Sequence, residues 1–157
     1  MMVFTIGGYG NTKESFFQKL TDNNIDLLID IRQRRGMRGK TYSFLNSSKL
    51  ISSLESIGIS YTHMKHLAPP ESVRILQKQA DIELNNSKRS RESLSARFIS
   101  AYTEDVLRKT TAQSVIEEVR NFKRICFFCV ESTPCACHRS IVSTWLEQVS
   151  GSASIHI

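Results

Sequence analysis

Hydrophobic and polar positions are arranged in blocks that predict strands and helices in turn. Residues 3–6 are a β-branched and aromatic run that stops at Gly7 and Gly8, which is typical of a strand entering a tight turn. Residues 25–31 are apolar except for Asp26 and Asp30, and such a run suits a strand covered on both faces. Similar runs predict further strands at 59–64, 124–130 and 154–157.

Apolar positions with helical spacing lie between these strands. Asn11 followed by Glu14 predicts a capping box at the start of the first helix. Asn46 predicts the cap of a second helix, which ends near residue 57 and is closed by Gly58. The pattern predicts further helices after the proline pair at 69–70 and over residues 94–107, 115–122 and 138–149.

The resulting order is β-α-β-loop-α-β-α-α-β-α-β. Strands that alternate with helices predict an α/β fold with a mostly parallel sheet of about five strands and helices on both faces. The 157 residues suit a single domain, 1–157.

Ligands of such sheets bind beyond the carboxyl ends of the strands. Four predicted strand ends are followed by polar or glycine residues, so we expect these groups to meet in a functional pocket. They are Gly7 and Gly8 with Tyr9, Asp30 with Arg32, His63 with Lys65, and Cys129 with Glu131.

Composition narrows the class of protein. Hydrophobic residues make up 40% and charged residues 23%, which is ordinary for a globular protein. No run of 18 apolar residues and no secretory pattern occur, so we expect no membrane partner. Four cysteines without an export signal predict reduced thiols and a cytoplasmic location.

The charge balance indicates an anionic partner. The net charge is +6, which favours an anionic small molecule or nucleic acid, although an unspecific basic surface is the plainer alternative. Residues 32–40 hold five basic side chains and predict a mobile cationic loop, in which Arg32 and Arg38 are candidate anion-binding residues. A solvated charge run is the alternative for this loop, and a structural ion pair is the alternative for Asp30 with Arg32. The basic stretch KRSRE, 88–92, predicts a solvated linker or a helix start.

Three of the four cysteines lie in the stretch CVESTPCACHRS, 129–140. Cys129, Cys135, Cys137 and His138 are possible zinc ligands by type. Their spacing argues against zinc, because structural sites usually take ligands in two separate C-x₂₋₄-C pairs. We therefore expect no metal and no cofactor, and a disulfide is disfavoured in a reducing compartment.

Cys137 lies near a predicted helix N-terminus, where free amide groups and the helix dipole stabilise negative charge. The neighbouring Arg139 acts in the same direction, so Cys137 is the candidate nucleophile, with Glu131 or His138 as proton carrier. Successive helical side chains point about 100° apart, which disfavours a direct Cys137–His138 pair and makes His63 the better partner. The same geometry also suits anion binding without chemistry.

The chain resembles the domain-of-unknown-function family 488 over almost its whole length. TIGG at 5–8 looks like the opening TIG motif of that family, IDIR at 29–32 its V-D-V-R motif, YTHMKHL at 61–67 its Y-x₅-L element and IHI at 155–157 its last strand. The signature C-x-E-x-x-P-x-x-C-H-R is matched by Cys129, Glu131, Pro134, Cys137, His138 and Arg139.

The resemblance implies a Rossmann-like three-layer fold and a polar cluster made by the motif residues, and it implies no activity. Two positions depart from the family pattern. Arg35 stands where the family commonly has a proline, and Leu67-Ala68-Pro69 stands where it commonly has L-G-G. Cys135 matches no family position.

These observations predict a small cytoplasmic α/β protein whose pocket binds a nucleotide, a nucleic-acid base, or a phosphate or carboxylate metabolite. Whether it is an enzyme stays open, as does its oligomeric state. One alternative is a non-catalytic nucleic-acid-binding module. Another is an interaction protein in which the signature is structural. The candidate catalytic residues are Cys137, Glu131, Asp30, His63 and His138, and the candidate anion-binding residues are Arg32, Arg38, Arg139, Gly7 and Gly8.

Overall fold

A computed structural model describes residues 1–87 and 90–157 of the chain. Its five strands are β1 (Met2–Gly7), β2 (Leu27–Asp30), β3 (Ser60–His63), β4 (Arg124–Cys129) and β5 (Ile155–His156). The α-helices of the described residues are α1 (Lys13–Asp22), α2 (Ser47–Ser56), α3 (Glu71–Glu83), α4 (Ala96–Asp105), α5 (Ala112–Glu118) and α6 (His138–Ser150). Short 3₁₀ turns occur at Ser43–Leu45, Lys65–Leu67, Leu107–Lys109 and Pro134–Ala136.

The strands form one parallel sheet in the order β3-β2-β4-β1-β5. The strand β4 lies between β1 and β2, and its register places Gly7 beside Cys129 and Asp30 beside Phe128. The carboxyl ends of three neighbouring strands therefore lie side by side at one edge of the sheet.

Each face of the sheet is covered by its own apolar core, as the alternation of side chains along a strand requires. One core joins Phe4, Leu28 and Phe128 to α1 and α2. The other joins Ile29 and Phe127 to α3, α4, α5 and α6. The three layers confirm the predicted Rossmann-like α/β fold.

The connections that follow β4 and its two neighbouring strands run to opposite faces of the sheet. The strands β1 and β2 are followed by α1 and α2 on one face, whereas β4 is followed by α6 on the other. Such a divergence leaves a crevice beyond the strand ends, which is where open α/β sheets bind ligands.

The predicted helix caps differ from the observed ones. The first capping box uses Thr12 and Ser15 instead of Asn11 and Glu14. Asn11 lies one residue before the cap, where its Oδ1 accepts a hydrogen bond from the Ser15 hydroxyl at 3.0 Å and its Nδ2 donates to the carbonyl of Gly7 at 2.9 Å. Asn46 precedes α2 as predicted, but its Oδ1 accepts a hydrogen bond from the backbone N–H of Met37 and does not cap the helix.

Two basic segments also differ from expectation. Arg32 is 3% exposed, so the first residue of the predicted mobile loop belongs to the interior. In the 88–92 stretch, Lys88 and Arg89 lie outside the described residues. Arg91 of that stretch is partly buried and makes hydrogen bonds to three other residues, so it is not part of a solvated linker. No helix in the described parts of the chain has the length and apolar character needed to cross a membrane.

A substitution at Gly7 tests how closely β1 approaches the loop after β4. A Cβ atom at Gly7 would lie closer than 3.0 Å to the carbonyl oxygen of Glu131, a backbone atom that cannot turn away. We expect Gly7→Ala to lower the free energy of unfolding by about 1–3 kcal/mol or more, measured by urea denaturation. Gly36→Ala is the control, since the nearest atom to its Cβ would be 3.9 Å away. Equal stability of the two variants would contradict this account.

Candidate functional site

A cavity of about 810 Å³ lies beyond the carboxyl ends of β1, β2 and β4. Its walls come from residues that directly follow these strands, from the basic loop, from α3 and from the starts of α4 and α6. The predicted convergence of strand ends is therefore observed for three of the four strands. The exception is β3, since neither His63 nor Lys65 lines the cavity.

The cavity wall is strongly cationic. Of the described residues that line it, six carry a positive charge and two carry a negative charge. The cations are Arg32, Arg34, Arg38, Arg74, Lys78 and Arg91, and the acids are Asp81 and Glu131. Cations that share a partly enclosed space attract an anion more strongly than the same charges on an open surface.

Arg32 is held in the wall by Asp30, which is fully buried behind it. The Asp30 carboxylate accepts hydrogen bonds from Arg32 Nε at 2.9 Å and from Arg32 Nη2 at 2.7 Å. It also accepts one from the Tyr61 hydroxyl at 2.8 Å, and burial is the main cause that raises the pKa of Tyr61 to about 12. The Arg32 guanidinium lies over the Phe128 ring, 4.5 Å from its centroid. These contacts fix the cation and occupy Asp30, which does not line the cavity.

Arg139 lies behind the loop after β4. It is 1% exposed, and its guanidinium donates hydrogen bonds to the backbone carbonyls of Glu131 and Ser132. Gly7 and Gly8 leave room for this loop and for Leu45, because a Cβ atom at either glycine would overlap them. Arg139, Gly7 and Gly8 shape the site from behind and do not line the cavity.

The cysteine stretch brings two thiols and one imidazole together at the cavity wall. The sulfur atoms of Cys129 and Cys137 each lie 3.9 Å from Nδ1 of His138. The expectation that Cys137 and His138 diverge is wrong because Cys137 is the extended N-cap residue of α6, with φ −139° and ψ 141°. His63 is not the partner of Cys137, since its Nε2 contacts the carbonyl of Arg32 at 2.9 Å.

Electrostatic coupling within this cluster is strong because all of its members are buried. The Cys129 thiol contacts the Glu131 carboxylate at 3.2 Å. A hydrogen bond involving Cys137, together with burial and the nearby Glu131, raises the pKa of Cys129 well above its usual range. Burial acts to lower the pKa of His138, but Cys129 and Glu131 outweigh it, so that this pKa is raised.

Arg91 and α3 supply parts of the site that the sequence pattern did not indicate. Arg91 Nη1 binds Asp81 at 3.0 Å, and its Nη2 binds Glu131 at 3.3 Å. Gln77 fixes the other Asp81 oxygen at 2.7 Å. Asp81 and Gln77 occupy buried positions of α3, where polar residues are uncommon. Polar residues at these positions of the helix were the signal from which a site could have been inferred. Arg91 lies in a polar stretch that gives no such signal.

The structure thus divides the predicted site residues into two groups. Arg32, Arg38, Glu131, Cys137 and His138 line one cavity. The others surround or support it, namely Asp30, His63, Arg139, Gly7 and Gly8.

Comparison with known protein families shows to which family the chain belongs. A family model described as "Domain of unknown function DUF488" matches residues 12–146, most of the 157-residue chain. The chain belongs to the DUF488 family. A search of curated proteins and a search of solved structures each found no match.

The DUF488 match covers almost all of the site. Every described residue that lines the cavity lies within residues 12–146 except Tyr9, which follows β1. In this DUF488 chain the matched region supplies the cavity, while the edge strand β5 lies beyond it.

The buried Asp30–Arg32 pair gives a test of how the site is held. Asp30→Asn leaves the Arg32 cation without its counter-charge, and we expect the free energy of unfolding to fall by about 3–5 kcal/mol. Glu104→Gln is the control, because Glu104 pairs with Arg108 at an exposed position and its loss costs about 0.5 kcal/mol or less. Urea denaturation measures both, and an equally small loss in the two variants would refute the role given to Asp30.

Proposed function

We propose that this chain binds a small anionic ligand, such as a nucleotide, in the cavity beyond the strand ends. The observation that carries the proposal is a set of guanidinium nitrogens without partners. Among the described residues, three buried guanidinium nitrogens make no hydrogen bond, namely Arg32 Nη1, Arg74 Nε and Arg139 Nε, and the first two belong to residues that line the cavity.

An unpaired buried donor is costly, and the cost is greater when the donor belongs to a charged group. An anionic oxygen that accepts hydrogen bonds from Arg32 and Arg74 would remove that cost for these two residues. Arg32 is already oriented by Asp30 and Phe128, so little further ordering would be needed when a ligand binds. Arginine is also suited to phosphate and carboxylate, since its planar guanidinium can donate two parallel hydrogen bonds.

The uncharged part of the wall favours a ligand with an apolar or aromatic portion. The rings of Tyr9 and Tyr42 lie edge to face with centroids 5.0 Å apart, and both line the cavity beside Met37. A volume of about 810 Å³ is within the range of small-molecule sites. A nucleotide, with a planar base and a phosphate, fits both properties better than inorganic phosphate does.

Nucleic acid is the second candidate ligand. Arg34 and Arg38 of the basic loop line the same cavity, and loop cations of this kind can also contact a phosphate backbone. A polynucleotide would engage more phosphates than the cavity holds, so its affinity would fall more steeply with salt than the affinity for a mononucleotide.

A catalytic role would be carried by the groups that face the ligand. Cys137, His138 and Glu131 line the cavity, so a bound anion would lie beside a thiol, an imidazole and a carboxylate. The structural role of the signature is compatible with this, because Arg139 holds the loop from behind while its neighbours face the ligand.

Isothermal titration calorimetry with AMP, inorganic pyrophosphate and a short single-stranded oligonucleotide tests the proposal. We expect AMP to bind and Arg74→Met to weaken this binding by about tenfold to a hundredfold, because one charged hydrogen bond is lost. Arg97→Met is the matched control, since Arg97 is exposed, pairs with Glu83 and does not line the cavity.

Two results would count against the cavity. If Arg74→Met and Arg97→Met bind AMP with equal affinity, the binding site lies outside the cavity. If none of the three probes binds, the proposal is refuted. Stronger binding of the oligonucleotide, with a steeper dependence on salt, would favour the nucleic-acid alternative.

A further inference from the structure

The strongest unassigned feature is the cluster of Cys129, Cys137 and His138. Their ligating atoms lie within 4.8 Å of one another, and all three residues are buried. The two sulfurs are at the same distance, 3.9 Å, from the same ring nitrogen. Both thiols therefore approach one nitrogen of the imidazole.

The two sulfur–nitrogen separations are close to those of a tetrahedral zinc site. Zn–S bonds of about 2.3 Å and Zn–N bonds of about 2.0–2.1 Å place sulfur and nitrogen about 3.6 Å apart in a tetrahedron. The observed 3.9 Å differs from this by a few tenths of an ångström. The two sulfurs lie within 4.8 Å of each other, and a tetrahedral site needs about 3.8 Å, so side-chain rotations that move the sulfurs by up to about 1 Å would bring all three atoms to bonding distance of one ion.

The orientation of His138 is also that of a metal ligand. Its Nε2 lies 3.0 Å from the carbonyl oxygen of Ile31, which can only accept, so Nε2 carries a proton. In the neutral imidazole the lone pair is then on Nδ1, the atom between the two sulfurs. Ligating histidines characteristically donate their second nitrogen to a carbonyl or carboxylate in this way, which fixes the ring.

Other uses of these groups explain less of the geometry. A thiol–imidazole nucleophile needs only the Cys137 sulfur near Nδ1 and leaves Cys129 to its contact with Glu131 at 3.2 Å, so it does not use the approach of Cys129 to the ring. A Cys129–Cys137 disulfide would give no role to the Nδ1 lone pair. A shared metal ion uses all three atoms and accounts for the equal distances.

We propose that Cys129, Cys137 and His138 form a zinc site in the wall of the cavity. Two sulfurs and one imidazole nitrogen suit zinc and disfavour magnesium or calcium, which prefer oxygen ligands. Each thiol releases its proton when it binds, so one Zn²⁺ replaces two thiol protons.

Three protein ligands leave the fourth position of a tetrahedral ion to water or to an oxygen of the anionic ligand, as in catalytic zinc sites. Glu131 lies 3.2 Å from the Cys129 sulfur, so its carboxylate is close enough to hydrogen-bond a zinc-bound water. This site also explains how the adjacent residues Cys137 and His138 can act together. The extended backbone at Cys137 turns the two side chains toward one point, whereas a helical backbone at this residue would turn them apart.

Native mass spectrometry of the full chain, purified under reducing conditions and titrated with zinc sulfate, tests the site. We expect one adduct whose mass equals that of one zinc ion less two protons. Cys129→Ala and Cys137→Ala should each lower the zinc affinity by more than about a hundredfold, since even the loss of an outer hydrogen-bond partner costs 10–100-fold. Cys135→Ala is the matched control because Cys135 is exposed and outside the cluster, and it should bind zinc as the wild type does.

The wild-type titration stands by itself if the alanine variants fail to fold. The proposal is overturned if the reduced wild type forms no such adduct in excess zinc, or if Cys137→Ala binds zinc as the wild type does. It is also overturned if Cys137 is alkylated equally fast with and without zinc, which would indicate a free nucleophile. Zinc binding is measured without AMP, so its failure and the failure of anion binding are separate results.

Discussion

A buried arginine determines how the loop after β4 is placed, and much of the site depends on that loop. Arg139 is among the largest fully buried side chains of the described residues, and its charge is stabilised by the carbonyl groups of Glu131 and Ser132. Because the guanidinium comes from the first turn of α6, it joins the strand end, the loop and the helix start into one unit. Gly7 allows this unit to lie directly against β1. Glu131 and His138, which line the cavity, belong to the loop and helix start that this unit contains.

Electrostatic roles in the site are divided between buried and cavity-lining groups. Asp30, which also accepts a hydrogen bond from Tyr61, binds Arg32 from inside the sheet, and Nη1 of the guanidinium is buried without a hydrogen bond. Asp81 and Glu131 act similarly on Arg91, which also lines the cavity. Two of the cations that line the cavity, Arg32 and Arg91, are therefore fixed in direction by buried or partly buried carboxylates.

The sequence was sufficient for the layer order and for the central part of the site. Alternating apolar runs and helical spacing predicted the parallel sheet, and the strand-end rule placed Arg32, Cys129 and Glu131 together. The rest depends on tertiary packing. No local pattern could place Arg74 of α3 over the strand ends, since this depends on how α3 packs against the sheet. The pairing of Cys137 with His138 was missed because a helical geometry was assumed for a residue that is extended, and helix boundaries are the least certain part of a pattern-based prediction.

The hydrogen bonds between β1 and β4 do not stop where the strands end. The amides of Gly8 and Tyr9 continue the ladder to the carbonyls of Cys129 and Val130, so the sheet extends into the floor of the cavity. Amide protons in such a position are expected to exchange with solvent only when the sheet itself opens. The backbone of this floor is therefore held by the same kind of hydrogen bonds that hold β1 to β4, and it opens only when these two strands separate.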